Sequence, residues 1–322
     1  MKKIFALLLS ILLVGGMLAG CGTDSNHGSK DGKSTNESNK AAFPITVKDA
    51  ENKEITIKQE PKRIVSLIPS NTEVAFALGL GDKIVGVSDF DNYPKEAAKK
   101  EKIGGMEFNV EKIIGLKPDL VLAHESTAKS ASAGLQQLRD AGITVVVIND
   151  GKNFNDVYES IEMIGRATGT DKKAKSIVQD MKDKIADIQK KASAIPEKDE
   201  KSVFVEVSPQ PEIYTAGKDT YLDEILSIIH AKNAAKSQDG WAKMSEESIV
   251  GLKPDVIITT YGYYVKNPKE QVLGRSGWAD VPAVKNKEVY DVNSDMVTRS
   301  GPRLVEGIEQ IAKVVYPDIF AK

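Results

Sequence analysis

Apolar and polar positions alternate through FPITVKDAENKEITI on either side of Ala50-Glu51-Asn52, and period-two alternation around a polar turn predicts a β-hairpin. Beyond it the pattern changes to short unbroken apolar runs rich in β-branched residues, RIVSL, IVGVSD, DLVLA and TVVVI. Runs of that length bounded by turn residues predict buried strands. Helical stretches fall between them: Asn71 to Leu78 behind a Ser70/Asn71 cap signal, Asn109 to Gly115, a segment near Leu135 to Ala141, and Phe154 to Thr168. Strands that alternate with helices predict an α/β fold with a mostly parallel sheet. The second half repeats the scheme with VFVEV, DVIITT and EVYDV as strands and closes on an amphipathic helix from about Pro302 to Val315.

Two stretches read as near copies set 136 residues apart, EKIIGLKPDLVLA from Glu111 to Ala123 and ESIVGLKPDVIIT from Glu247 to Thr259. A stacked repeat has a period of roughly 20 to 50 residues, so a spacing this long predicts two similar αβ lobes instead. Each copy closes a short helix with Gly-Leu-Lys-Pro-Asp and enters a buried strand. Between the halves, Asp171 to Ala194 carries Ile177, Met181, Ile185 and Ile188 at helical spacing, contains no Gly or Pro, and meets Pro196 as a stop. A helix of about 24 residues spans roughly 36 Å, long enough to cross from one lobe to the other. A surface helix of the first lobe has the same pattern.

The start of the chain bears on location. Lys2 and Lys3 precede an apolar and small-residue run from Ile4 to Gly20 that ends at Cys21, the pattern of a secretory signal and short for a stable membrane span. Leu18-Ala19-Gly20-Cys21 resembles the lipobox of bacterial lipoproteins, which implies cleavage before Cys21 and a diacylglyceryl group on its sulfur. Cys21 is the only cysteine, so no internal disulfide is available to it. Removal of residues 1–20 takes two of the 44 basic side chains and none of the 46 acidic ones, leaving a balance of −4 that argues against nucleic acid as a partner. From Gly22 to about Ala42 the chain holds almost nothing to bury and reads as a disordered tether, with His27 inert inside it. The expected organisation is therefore a signal peptide at 1–20, a lipidated tether at 21–42, an N-terminal lobe at 43–169, an interlobe helix at 170–196 and a C-terminal lobe at 197–322. The anchor implies the extracytoplasmic face of the cell membrane, in a one-membrane or a two-membrane envelope.

Enzyme chemistry finds little support. The folded part holds His124 and His230 as its histidines and no cysteine, with neither HExxH nor G-x-S-x-G. Gly79-Leu80-Gly81 lacks the third glycine at dinucleotide spacing, and no lysine-bearing phosphate loop occurs. No cofactor and no metal site are expected.

From RIVSLIPSNTEVAFALGLGDKIVGVSDFDNYP, through the first LKPD segment, to SDMVTRSGPR, the chain resembles the periplasmic-binding-protein family of the cobalamin and ferric-siderophore importers, and within it the cobalamin-binding members. The likeness covers essentially everything after about residue 45. It implies two α/β lobes joined by a single long helix, a ligand cleft between them and a modest closing movement. Tyr93, Tyr214, Trp241, Asp295 and Arg299 match positions that line the corrinoid cleft in that family, where two further tryptophans fall here at Gly105 and His124. Aromatic faces suit a large macrocycle, and an Asp and an Arg can meet its amide arms. Plainer readings stay open: Tyr93 before Pro94 as a turn residue, Trp241 as a packed core side chain. The chain has six arginines among its 44 basic residues, and Arg299 and Arg303 fall in one short segment, which suits a geometric task for Arg299 and packing for Arg303.

The resemblance also gives the repeat a role. Glu111 and Glu247 stand at the same place in their copies, in the first turn of a short helix, where acids commonly complement the helix dipole. In the resembled family such glutamates meet arginines on the two membrane subunits of an ABC permease, itself joined to ATPase subunits. Cobalamin is the first ligand implied, and a ferric siderophore or haem-like chelate the second.

Overall fold

The computed structural model describes residues 43–321, so the signal, the tether and Cys21 lie outside the described residues. Strand β1 (Ile45–Lys48) pairs antiparallel with β2 (Glu54–Ile57), the hairpin anticipated from the alternation. Its turn is held by Asp49, whose Oδ1 accepts the backbone N–H groups of Glu51 and Lys53 at 3.0 Å.

The first sheet is formed by β3 (Ile64–Ser66), β4 (Ile84–Val87), β5 (Glu101–Lys102), β6 (Leu120–His124) and β7 (Thr144–Ile148), in the order β5-β4-β3-β6-β7 with every pair parallel. The chain winds outward one way from β3 and the other way from β6. Ligands of open α/β sheets bind beyond the carboxyl ends of the strands at such a switch point, here the ends of β3 and β6. The second sheet is formed by β8 (Ser202–Glu206), β9 (Tyr214–Ala216), β10 (Lys232–Asn233), β11 (Trp241–Lys243), β12 (Val256–Thr259) and β13 (Val289–Asp291), in the order β11-β9-β8-β12-β13 with β10 also on β8. Strands β8, β12 and β13 run parallel, whereas β9 and β11 form an antiparallel ribbon at the edge that the sequence pattern did not announce.

The two LKPD copies do the same structural work. Asp119 accepts the backbone N–H groups of Lys62 and Arg63 at 2.9 to 3.1 Å, and Asp255 accepts that of Ser202 at 2.8 Å, so each aspartate clips the entry of its sheet's first strand. In each copy the lysine before the proline takes a left-handed conformation, Lys117 at φ 49° and Lys253 at φ 48°. That turn ends the helix before Pro118 and Pro254, which could not continue it.

The helix between the two sheets runs Asp171–Ala192, two residues shorter than anticipated, and is about 33 Å long. One stripe of Ala174, Val178, Met181, Ile185, Ile188 and Ala192 is buried. It packs on the helix Phe154–Thr168 from the first half and on Tyr221–Ile228 and Leu304–Val315 from the second. The helices Phe154–Thr168 and Asp171–Ala192 come close at Gly165, where an added Cβ would clash with the Ala174 Cβ. Gly165→Leu is therefore expected to cost about 1–3 kcal/mol through overpacking, read as a lower urea midpoint by circular dichroism; an unchanged midpoint would show that the two helices separate freely.

Several boundaries moved for identifiable reasons. The helix anticipated from Asn71 begins at Pro69, and Ile68 caps it without a side-chain bond. Asn71 does not cap; its Nδ2 donates to the Ala123 carbonyl at 2.9 Å and ties the helix to β6. The segment near Leu135 starts earlier, at Ser132, behind an unanticipated helix Glu125–Ser130, and the closing helix starts at Leu304. Among the described residues, no helix is long and apolar enough to cross a membrane.

Candidate functional site

Two cavities, of about 540 and 730 Å³, meet at Pro69, Thr298 and Arg299, which line both. The smaller lies at the switch point: Ile68, Ser70, His124 and Ser126 follow β3 and β6, and Thr220, Tyr221, Gly240 and Trp241 face it from the second half. The larger is lined by Phe90 and Asn92 from the first half and by Tyr263, Asp291, Asn293 and Asp295 from the second. Together they form the interlobe cleft.

Arg299, which caps the helix Ser294–Thr298, lies on the cleft floor but is not a free cation. Its Nη1 donates to Glu73 Oε1 at 2.9 Å and to Asn92 Oδ1 at 2.7 Å, and its Nη2 stands 2.8 Å from Asp295 Oδ1. Asp295 also accepts from Asn92 Nδ2 at 2.8 Å. The arginine anticipated as a grip on the ligand is thus first a tie between the halves. Arg303, read as packing, carries the other half of that tie: Nε and Nη2 donate to the two oxygens of Glu73 at 2.8 and 2.7 Å.

Tyr93 needs correction. Its ring lies under the Arg303 guanidinium, 3.8 Å from the ring centre, and lines a separate cavity of about 410 Å³ with Glu73, Phe76 and Met181. The Asn92-Tyr93-Pro94 turn sends Asn92 to the cleft and Tyr93 away from it. Tyr214 lines neither cleft cavity; it stands on β9 opposite Lys243, two pairs along the ribbon from Trp241–Ala216.

Trp241 is 47% exposed and lines the smaller cavity, so it is a cleft side chain rather than core. Behind it the buried Tyr221 ring packs edge-on at 5.9 Å, and the Tyr221 hydroxyl donates to the Thr298 carbonyl at 2.6 Å. The tryptophan is therefore backed by a residue bonded to the cleft floor. His124, at the end of β6, is 5% exposed. Its Nδ1 lies 2.9 Å from Ser126 Oγ, and its Nε2 has no hydrogen-bond partner, with Asp150 Oδ1 at 4.0 Å, beyond bonding distance. Burial lowers its pKa below the usual imidazole value against the opposing pull of Asp150 and Glu125, so the ring is neutral near pH 7.

Phe90 and Tyr263, two of the most exposed aromatics, were missed by sequence reasoning. The charge of the cleft is also clear: Asp150, Asp219, Asp291 and Asp295 line it, against Lys152 and the already paired Arg299. Carboxylate, amide and hydroxyl oxygens predominate, and hydrogen-bond donors carried by a ligand would find acceptors. Away from the cleft, Glu111 and Glu247 are exposed in the first turns of the helices Val110–Gly115 and Glu246–Leu252. Asn109 and Ser245 cap these helices through their own side chains, so neither glutamate is needed as a cap.

The periplasmic binding protein family model matches residues 64–296. An uncharacterized ABC transporter substrate-binding lipoprotein of Bacillus subtilis is 54% identical over 320 residues, 99% of each chain. A cobalamin-binding protein of Halobacterium salinarum is 31% identical over 294 residues, 85% of this chain and 75% of that one. A possible iron-binding (periplasmic solute-binding) protein of Staphylococcus epidermidis, a solved structure, superimposes with a TM-score of 0.72 at 40% identity, over 80% of this chain and all of the other.

Proposed function

The chain belongs to the periplasmic-binding-protein family, whose members bind solutes for transport and are not enzymes, and from that premise we propose that it captures cobalamin and delivers it to the permease of an ABC importer. It is a substrate-binding protein of the cobalamin, haem and iron-chelate type. A lipid on Cys21 would hold it on the outer face of the cell membrane. The observation that carries cobalamin over haem is the balance of charge in the cleft. Four carboxylates face two cations, and Arg299 is already bonded to Glu73, Asn92 and Asp295. Haem presents carboxylates, which would lose water beside other carboxylates with Lys152 as the one unpaired cation among the described residues of the lining. The corrin ring presents carboxamides, whose N–H groups suit acceptors, and Trp241 offers its flat face the apolar area it needs. A ferric chelate is the second reading, supported by the 40% identity to the possible iron-binding protein.

Fluorescence tests this directly. Trp278 is 1% exposed in the core while Trp241 stands in the cleft, so a ligand that packs in the cleft acts most strongly on Trp241. Cyanocobalamin at micromolar concentration is expected to give a saturable quench in the wild type that is reduced in Trp241→Phe. No response to cyanocobalamin beside a response to a ferric siderophore would reverse the ranking.

A further inference from the structure

The larger cavity contains an aromatic subsite that neither the repeat nor the resemblance pointed to. We infer that Phe90 and Tyr263 act as a second aromatic jaw for a flat, amide-bearing ring, in the cavity that adjoins the one lined by Trp241. The inference rests on the proposal that the cleft binds a macrocyclic ligand, and it names the residues that select it.

Three observations carry it. Phe90 and Tyr263 come from different lobes, are 55% and 78% exposed, and line the same cavity. An exposed aromatic on each wall of a cavity is apolar area kept in water, which costs free energy unless a ligand covers it. The Tyr263 ring is also supported. Tyr263 packs edge-on against Tyr264 at 4.7 Å, and Tyr264 leans on Tyr261 at 6.3 Å, whose hydroxyl bonds Glu206. The loop beneath is fixed by the Gly262 N–H donating to Asp291 at 3.0 Å.

The third observation explains the glycine that departs from the family pattern. A Cβ on Gly105 would lie 3.1 and 3.2 Å from Cζ and Cε2 of Phe90, closer than ordinary van der Waals contact. Gly105 is not among the positive-φ glycines, so its lack of a side chain serves space rather than backbone conformation. The Phe90 ring therefore lies over the place where a side chain at 105 would start, and a large residue there would push the ring aside. Around these rings Asp291 and Asp295 add carboxylate oxygens, which favours a ring carrying N–H groups over one carrying carboxylates.

Calorimetric titration of the full chain with cyanocobalamin, hemin and ferrichrome tests the jaw. Phe90→Ala and Tyr263→Ala are each expected to weaken the ligand that binds the wild type by about tenfold, a loss of about 1.4 kcal/mol. Gly105→Leu should match Phe90→Ala, because its side chain evicts the ring, and adding Gly105→Leu to Phe90→Ala should cost little more. Unchanged affinity in both alanine variants, for a ligand that the wild type binds, would overturn the jaw and leave the cleft assignment standing. Additive losses in the double variant would overturn the role given to Gly105, and a wild type that binds none of the three would overturn both the jaw and the cleft assignment. Circular dichroism of each variant checks folding, which these exposed side chains should leave intact.

Discussion

Glu111→Lys together with Glu247→Lys is expected to abolish uptake while leaving ligand affinity unchanged. The two glutamates stand at equivalent points of the duplicated segment, exposed, and neither makes an ion pair among the described residues. Charges of this kind set register and encounter rate with a complementary partner, and opposing like charges across an interface costs several kcal/mol. Where each glutamate faces a permease arginine, the contact the family resemblance implies, two reversals at 1.4 kcal/mol per tenfold lower the docked population by at least two orders of magnitude. Each single reversal should give an intermediate rate. The competing account, in which these acids only complement helix dipoles, predicts a different pattern: a stability loss of about 0.3–1 kcal/mol per site with uptake intact. Transport into proteoliposomes holding the permease, measured beside thermal unfolding and a ligand titration, separates the two. Wild-type uptake in the double variant would sink the docking role.

Much of the scaffold was legible because its signals are local. The hairpin, the apolar strands and the helices Phe154–Thr168 and Asp171–Ala192 follow from alternation, β-branched runs and helical stripes that need no knowledge of distant residues. Where a side chain was used at long range, local reading failed. Asn71 looks like a cap, yet its amide is spent on the Ala123 carbonyl, 52 positions away. Tyr93 and Phe90 lie three apart in one turn-rich segment, and which aromatic faces the cleft depends on Arg303 drawing the tyrosine ring under its guanidinium. Arg299 could be singled out by composition, but its acceptor Glu73 is 226 positions earlier. The lining of the two cavities was therefore legible as a region and at Trp241, His124, Asp295 and Arg299. Its second aromatic wall and the state of its arginine were not.

The contact between Glu73 and the two arginines carries the other large expected effect. Glu73→Ala should destabilise the protein by about 3–5 kcal/mol, the range for removing one partner of a buried ion pair. The Glu73 side chain is 2% exposed and accepts from Arg299 once and from Arg303 twice, so its loss leaves two guanidinium groups largely buried without their common anion. Arg299 retains Asn92 and Asp295, whereas Arg303 retains only the face of Tyr93, so Arg303 bears most of the cost. Glu73→Gln keeps one acceptor oxygen and the side-chain volume, and should lose less than Glu73→Ala. A partner change on the other side gives an internal check: Arg303→Met in the Glu73→Ala background removes the stranded charge and should recover part of the loss, since well-packed apolar groups often replace buried pairs without penalty. Urea unfolding followed by circular dichroism reads all three variants. A loss under about 1 kcal/mol in Glu73→Ala would mean that water replaces the carboxylate freely. The tie would then be a surface contact. Because Glu73 comes from the first half of the chain and both arginines from the second, the same bonds that stabilise the fold also hold the floor of the cleft together.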